Sequence, residues 1–232
     1  MIVTGSNSER KQFQIAPAGT HLARLYRVID LGTQMREYEG KVNMLRKAKF
    51  FWELHGEDGT GKPLLTTEGK PLIQSKEYTM SLGEKANLRR DLEAWRGKAF
   101  TEDELKGFDL KNVLGQFCMV NISHREKGDM TYADLKGVSA VPNIYKRAGL
   151  PEGINSAVMF SLDKFDEQLF DSLSDSIKDT IRKSPEYRAL SFVSNAEQPT
   201  MKQYAAASGG SVSHMEDDVP FAPVGGRKVY AF

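Results

Sequence analysis

The chain has 232 residues, 40% of them hydrophobic, with 32 Lys+Arg against 31 Asp+Glu and a single Cys. The near-neutral total excludes a histone-like polycation and a wholly acidic unfolded chain, and one Cys can neither close an intramolecular disulfide nor supply a Cys-rich zinc site. No apolar run reaches the ~18 residues of a membrane span, and polar Met1–Arg10 lacks a signal-peptide core, so a soluble protein of a reducing, cytoplasmic compartment is expected.

Residues 1–16 read as a loose arm. Thr20–Leu31 is rich in Leu, Tyr, Val and Ile and is predicted as a strand, entered from Pro17-Ala18-Gly19 and left at Gly32. Thr33–Asn43 is a polar, basic connection. Asn43–Glu57 is a second strand, with Ala48, Phe50, Trp52 and Leu54 on a core face and Lys47, Lys49, Phe51 and Glu53 on the other. Gly56–Lys70, with four glycines and a proline, is a long loop or ragged hairpin. Lys76–Leu82 is a third strand.

The period then changes. Leu88, Leu92 and Trp95 fall on one face of a helix over Ala86–Trp95, with Ser81 as cap and Gly97 as stop. Thr101 and Glu104 are spaced as a capping box for a short helix. Val113–Arg125 is a fourth strand, placing Cys118, Val120 and Ile122 inward and Phe117, Met119, Asn121 and Ser123 outward. Lys127-Gly128-Asp129 turns into a fifth strand, Thr131–Val141. Leu162, Phe165, Leu169, Leu173, Ile177 and Ile181 then recur at three- and four-residue spacing, predicting one amphipathic helix over Ser161–Ile181. Ser184-Pro185-Glu186 starts a second helix whose Tyr187 and Leu190 point inward. Ser194–Phe232, rich in Gly, Ala, Ser and Pro, reads as disordered.

Three strands, a helix and two strands form the succession of a five-stranded OB-fold barrel, although other small α+β folds share it. The expected class is mainly β (α+β). The expected organisation is an arm (1–16), an OB-fold domain (17–145), a C-terminal helical extension (146–193) and a disordered acidic tail (194–232).

The small net charge conceals a division. Residues 1–150 hold 24 Lys+Arg and 19 Asp+Glu, a net of +5, whereas residues 151–232 hold 8 and 12, a net of −4. A basic body attracts a polyanion. Catalytic signals are weak by comparison. His21, His55, His124 and His214 are scattered without metal-ligand spacing, and Gly56–Gly69 lacks the ending of a phosphate loop. Cys118 falls on the core face, and no nucleophile, base and oxyanion donor assemble. The expectation is a non-enzyme with no cofactor and no metal.

On an OB barrel, single-stranded nucleic acid lies across strands two and three and the adjoining loops, where it needs cations for phosphates and flat rings for bases. The candidates are Arg24, Tyr26 and Arg27 on the first strand, Arg36, Lys41 and Arg46 along the connection, and Lys47, Lys49 and Phe51 on the second strand. Phe117 and Tyr132 join them from strands four and five. In the tail, Glu216, Asp217 and Asp218 abut Val219, Pro220 and Phe221, an acidic-apolar segment suited to a basic, apolar pocket on a partner protein.

The tail segment EDDVPF (216–221) resembles the acidic tip of bacterial single-stranded DNA-binding proteins, Asp-Asp-Asp-Ile-Pro-Phe, which recruits replication and repair proteins. PAGTHLARLYRVIDLGTQ (17–34), SLGEKANLRRDLEAWRGKAF (81–100) and SHREKGDMTYADLKGVSAVP (123–142) resemble OB-fold single-stranded DNA-binding proteins encoded by tailed bacteriophages; the similarity spans roughly 17–190. The resemblance implies binding of single-stranded DNA in replication, recombination or repair, in the host bacterial cytoplasm, with partner proteins recruited by the tail and a homo-oligomer as an option. One departure stands out: the bacterial tip ends at its Phe, whereas here Ala222–Phe232 follow Phe221. The alternatives are a mediator acting mainly through protein contacts and, less favoured, a nuclease.

Overall fold

The computed structural model describes residues 14–38, 41–128 and 130–195. The expected tail from residue 196, including Glu216–Phe221, and most of the expected N-terminal arm lie outside the described residues.

Two long strands organise the body. β1 (Gly19–Tyr38) and β2 (Lys41–His55) pair antiparallel from Leu22↔His55 to Tyr38↔Lys41. The expected end of the first strand at Gly32 is not an end. The register shifts between Asp30 and Gly32, Gly32 takes a φ of 69°, and its N–H donates to Asp30 Oδ1 at 2.9 Å. A Cβ at residue 32 would lie 2.4 Å from Ser184 Cβ, so glycine serves both the bulge and a close approach. The polar connection expected after Leu31 is therefore strand up to Tyr38.

A second shift, between Leu25 and Arg27, leaves Tyr26 as an extra residue. There β1 changes its other neighbour: Gly19–Arg24 pairs with β4 (Phe117–Lys127), and Arg27–Ile29 pairs in parallel with β6 (Val158–Phe160). A bulge bends and twists its strand, which suits a change of partner. With β3 (Ile73–Thr79) on β2 and β5 (Met130–Ser139) on β4, the path is β3-β2-β1-β4-β5, antiparallel throughout, with β6 beside β1. The sheet is not closed, because edge strands β3 and β5 share no ladder. Gln74 Nε2 nevertheless donates to Ala133 O at 2.6 Å, and Lys76 Nζ to Lys136 O at 3.3 Å, so side chains bridge the two edges.

Inside the curl, period-two alternation holds. Ala48, Phe50, Trp52 and Leu54 are buried from β2, and Cys118, Val120 and Ile122 from β4. Burial pushes the Cys118 thiol well above its ordinary pKa, so it packs as a small hydrophobe. Between β3 and β4, α1 (Asn87–Arg96) adds Leu88, Leu92 and Trp95 to this core and ends on Gly97 in the left-handed region. Its N-cap is Ala86, without a side-chain cap bond, in place of the expected Ser81. Buried Asp91 ties α1 to β3 by accepting from Tyr78 Oη at 2.8 Å and Lys76 Nζ at 2.7 Å. In α2 (Glu102–Lys106) the expected capping box between Thr101 and Glu104 forms in both directions.

The C-terminal part corrects the reading of one helix over Ser161–Ile181. After α3 (Asn143–Ala148) the chain forms β6, then α4 (Glu167–Asp171), α5 (Asp175–Arg182) and α6 (Pro185–Asn195). Ser and Asp side chains account for the breaks. Ser161 Oγ accepts from Asp163 N–H at 3.2 Å, Asp166 caps α4 by accepting from Leu169 N–H at 2.9 Å, and Ser172 Oγ donates to Leu169 O at 2.6 Å. The apolar positions still converge. Leu162, Leu173 and Ile181 are buried, Phe165, Leu169 and Ile177 pack beside them, and together they form a second core with Ile29, Leu31, Phe160 and Phe170 on the outer side of β1. Tyr187 and Leu190 pack against it as expected, and Ser184 Oγ accepts from Tyr187 N–H at 3.2 Å at the start of α6. The extension thus covers its own sheet.

Candidate nucleic-acid interface

The outer side of β1 and β2 carries most of the residues singled out from the sequence, and the structure divides them into two groups. The first is engaged internally. Arg24, opposite Glu53 in register, donates to Glu53 Oε1 at 3.2 Å, to Gly115 O at 3.0 Å and to Asn155 O at 2.9 Å. Glu53, read from sequence as an outward-facing residue, has 0% exposed surface. Residues 153–156 lie across it: its carboxylate accepts from Ile154 N–H at 3.0 Å, Asn155 N–H at 2.7 Å and Asn155 Nδ2 at 2.6 Å, with His55 Nε2 at 3.2 Å. Burial alone would raise the pKa of Glu53; the bonds from Asn155, Ile154 and His55 outweigh it and hold the carboxyl below its ordinary value. Arg24 is thus a structural cation and not a free phosphate ligand.

Arg46 is engaged likewise. It meets Asp30 Oδ2 at 2.6 Å and Asp163 Oδ1 at 2.9 Å, and these bonds, that to Asp30 first, hold its pKa above the usual guanidinium value. Tyr26 is buried at the bulge, and burial raises its pKa. Phe117 packs among Leu22, Met119 and Val141 and meets the His55 ring edge-on at 5.1 Å. Arg24, Arg46, Tyr26 and Phe117 therefore serve the fold. Their strand spacing matches that of binding residues, and contacts from distant parts of the chain separate the two roles.

The second group faces outward. Arg27 stands opposite Phe51 in register, and Lys49 Nζ lies 5.5 Å from the centre of the Phe51 ring. Phe51 is half-buried against the second core. Among the described residues, Arg27, Arg36 and Lys49 have no carboxylate partner within ion-pair distance. Lys47 bonds Glu77 Oε1 at 2.5 Å. Arg36 and Lys47 border an open cleft of about 520 Å³ between the hairpin and the start of α1, to which Lys85 also contributes. Tyr132, 40% exposed, sits under the Arg125 guanidinium at 5.1 Å, with Arg125 held by Asp134 at 2.9 Å. Lys41 ends the described hairpin pairing, and its side chain is outside the described part.

Sequence reading missed Lys85 and Arg125. Arg125 was within reach: it pairs with Tyr132 across the β4–β5 turn, so counting outward from Lys127-Gly128 places the two side by side. Lys85 had no such signal, since it lies in an irregular connection. Among the described residues, no cluster of three or more His, Cys, Asp or Glu is placed to hold a metal ion, and no helix is long and apolar enough to cross a membrane. Comparison of the chain with protein-family models and with curated proteins finds no match.

Proposed function

We propose that this chain is a non-enzymatic, sequence-tolerant single-stranded DNA-binding protein, and that its open, curled sheet is an OB-fold barrel. The fold reading is supported by the strand order, by the two side-chain bridges joining β3 to β5, and by α1 lying between β3 and β4 in the chain.

The observation that carries the binding reading is a ring bracketed by unpaired cations. Phe51 has Arg27 across from it in register, with that guanidinium 5.5 Å from the Tyr26 ring, and Lys49 over it; among the described residues neither is held by a carboxylate. A base stacks on the ring while adjacent phosphates meet the guanidinium and ammonium. Tyr132 with Arg125 is a second ring-and-cation pair, and Arg36 and Lys47 extend the cationic path along the hairpin. The pairs Arg125–Asp134 and Lys47–Glu77 are partly exposed and readily exchanged for phosphate; Arg24–Glu53 is buried and is not. Binding is sequence-tolerant because every base presents a flat face. The acidic-apolar segment Glu216–Phe221 recruits replication or recombination proteins, as its resemblance implies, and the protein acts in the cytoplasm of a phage-infected bacterium.

Titration of a fluorescent oligo(dT) at two salt concentrations tests this. Micromolar or tighter binding that weakens with salt is expected; absence of binding at low salt refutes it. Removing residues 212–232 separates the mediator reading, in which partner capture occurs without any DNA binding.

A further inference from the structure

A cavity of about 390 Å³ lies where the two cores meet. It exceeds by an order of magnitude the ~30 Å³ that one water occupies in the liquid, and it falls in the range of about 300–1,000 Å³ typical of ligand pockets. Strand period accounts for its lining. On β1 the core-facing stripe passes from Val28 to Asp30, and on β2 from Ala48 to Arg46, so both stripes turn from apolar to ionic at the cavity. Val28, Ala48 and Phe160 are buried and form its floor. Met80, Phe108 and Leu110 form a wall shared with a second cavity of about 170 Å³, which Leu82, Leu88 and Leu92 carry on to α1. The two cavities thus make one apolar trough. The wall is braced: the Phe108 ring meets Phe100 edge-on at 5.1 Å, and the Arg96 guanidinium lies 5.1 Å from its centre. The polar lining is acidic. Asp30, Asp109 and Asp163 contribute three carboxylates, against Arg46 as the one cation lining the trough among the described residues. Arg46 is engaged with Asp30 Oδ2 and Asp163 Oδ1. Asp109 Oδ1 accepts from Lys111 N–H at 2.9 Å, and its carboxylate meets no cation within ion-pair distance among the described residues. The second oxygens of Asp109 and Asp163 have no partner among the described residues, and both side chains are exposed.

We propose that this trough binds a segment of a partner protein in which Lys or Arg adjoins large apolar side chains. The apolar side chains enter the trough, and the cation meets the free oxygens of Asp109 and Asp163. Charge selects this occupant. With Asp30 and Arg46 neutralising each other, two carboxylates are left over; they repel a phosphate backbone or an acidic peptide and complement a basic one. An apolar recess with a few convergent polar groups fixes the orientation of what it holds. Met80, 39% exposed and part of both cavities, supplies an unbranched side chain that adapts to the entering one. Arg27, Lys49 and Phe51 do not line the trough, so the contact is independent of the DNA-binding reading.

Methyl NMR of the full chain, labelled at methionine and titrated with peptides, tests the proposal. Met80 and Met159 line the trough, whereas Met130 starts β5 and does not. The probe peptide Ser-Lys-Leu-Phe-Lys-Ser should shift the Met80 and Met159 methyls and leave that of Met130 in place. Its counterpart Ser-Glu-Leu-Phe-Glu-Ser should bind about tenfold more weakly or worse. Replacing both Asp109→Asn and Asp163→Asn removes the surplus charge while asparagine can still accept from the Lys111 N–H, and it should bring the two peptides within about threefold of each other. Met80→Lys, at an exposed wall position, should weaken the basic peptide about tenfold or more. Unshifted Met80 and Met159 methyls at about 1 mM basic peptide overturn the proposal, as does equal or tighter binding of the acidic peptide by the unaltered chain. Oligo(dT) that shifts these two methyls also overturns it and assigns the trough to nucleic acid.

Discussion

Replacing Glu53 by Gln removes one buried charge and leaves its partners in place. The carboxylate has no exposed surface and accepts from Arg24, His55, the Ile154 and Asn155 backbone N–H groups and Asn155 Nδ2. In the variant, an amide NH₂ meets some of these donors in place of an acceptor oxygen, and the largely buried Arg24 cation loses its counter-charge. Breaking a buried ion pair from one side costs about 3–5 kcal/mol. For a body of this size each kcal/mol moves the midpoint by about 2–4 °C, so a fall of about 6–20 °C is expected. Denaturant unfolding followed by the fluorescence of buried Trp52 and Trp95 measures the loss, and limited proteolysis should locate a new cut within 150–157. A loss below about 1 kcal/mol with that segment still protected would refute the view that Glu53 fastens it. The stability difference also depends on pH. The folded pKa of Glu53 is lowered, so its contribution is fully present above the unfolded carboxylate pKa and is lost as pH falls through the folded value. The gap between wild type and Glu53→Gln should therefore narrow on acidification below about pH 4.

Tyr132→Ala should weaken oligo(dT) binding by about 1–3 kcal/mol, roughly 5- to 150-fold, with little change in unfolding free energy because the ring is exposed; fluorescence titration and denaturation read the two effects separately. Lys49→Ala should reduce the salt slope of binding by about one while leaving stability within about 0.5 kcal/mol, whereas Arg24→Ala should act mainly on stability. Gly32→Ala should destabilise by about 2 kcal/mol or more, since it combines a left-handed φ of 69° with a Cβ placed 2.4 Å from Ser184 Cβ; an unchanged denaturation midpoint would contradict this packing.

Local patterns were legible wherever a residue's neighbours in sequence are also its neighbours in space. The β2 alternation, the inward Cys118, the capping box at Thr101 and the stop at Gly97 all depend on two- to four-residue spacings. Each appears as expected. The mainly β architecture followed from the same spacings. The failures share another cause. Gly32 reads locally as a strand end, but pairing with β2 continues through Thr33–Tyr38 and outweighs one irregular position. The run Ser161–Ile181 has a helical period, but its Ser and Asp side chains bond the backbone locally, and β1 offered a strand edge for Val158–Phe160.

The amino-acid sequence by itself determined which residues are apolar enough to be buried and where cations and rings stand along the strands. The tertiary structure alone decided which cations remain available. Arg24 and Arg27 lie three residues apart on one strand, and Arg46 and Lys49 three apart on the next. The members of each pair diverge because distant carboxylates, Glu53 for Arg24 and Asp30 with Asp163 for Arg46, reach one member and not the other. Desolvation and pairing act through distance in space, and no spacing along the chain encodes that a segment more than a hundred residues away will settle on Glu53.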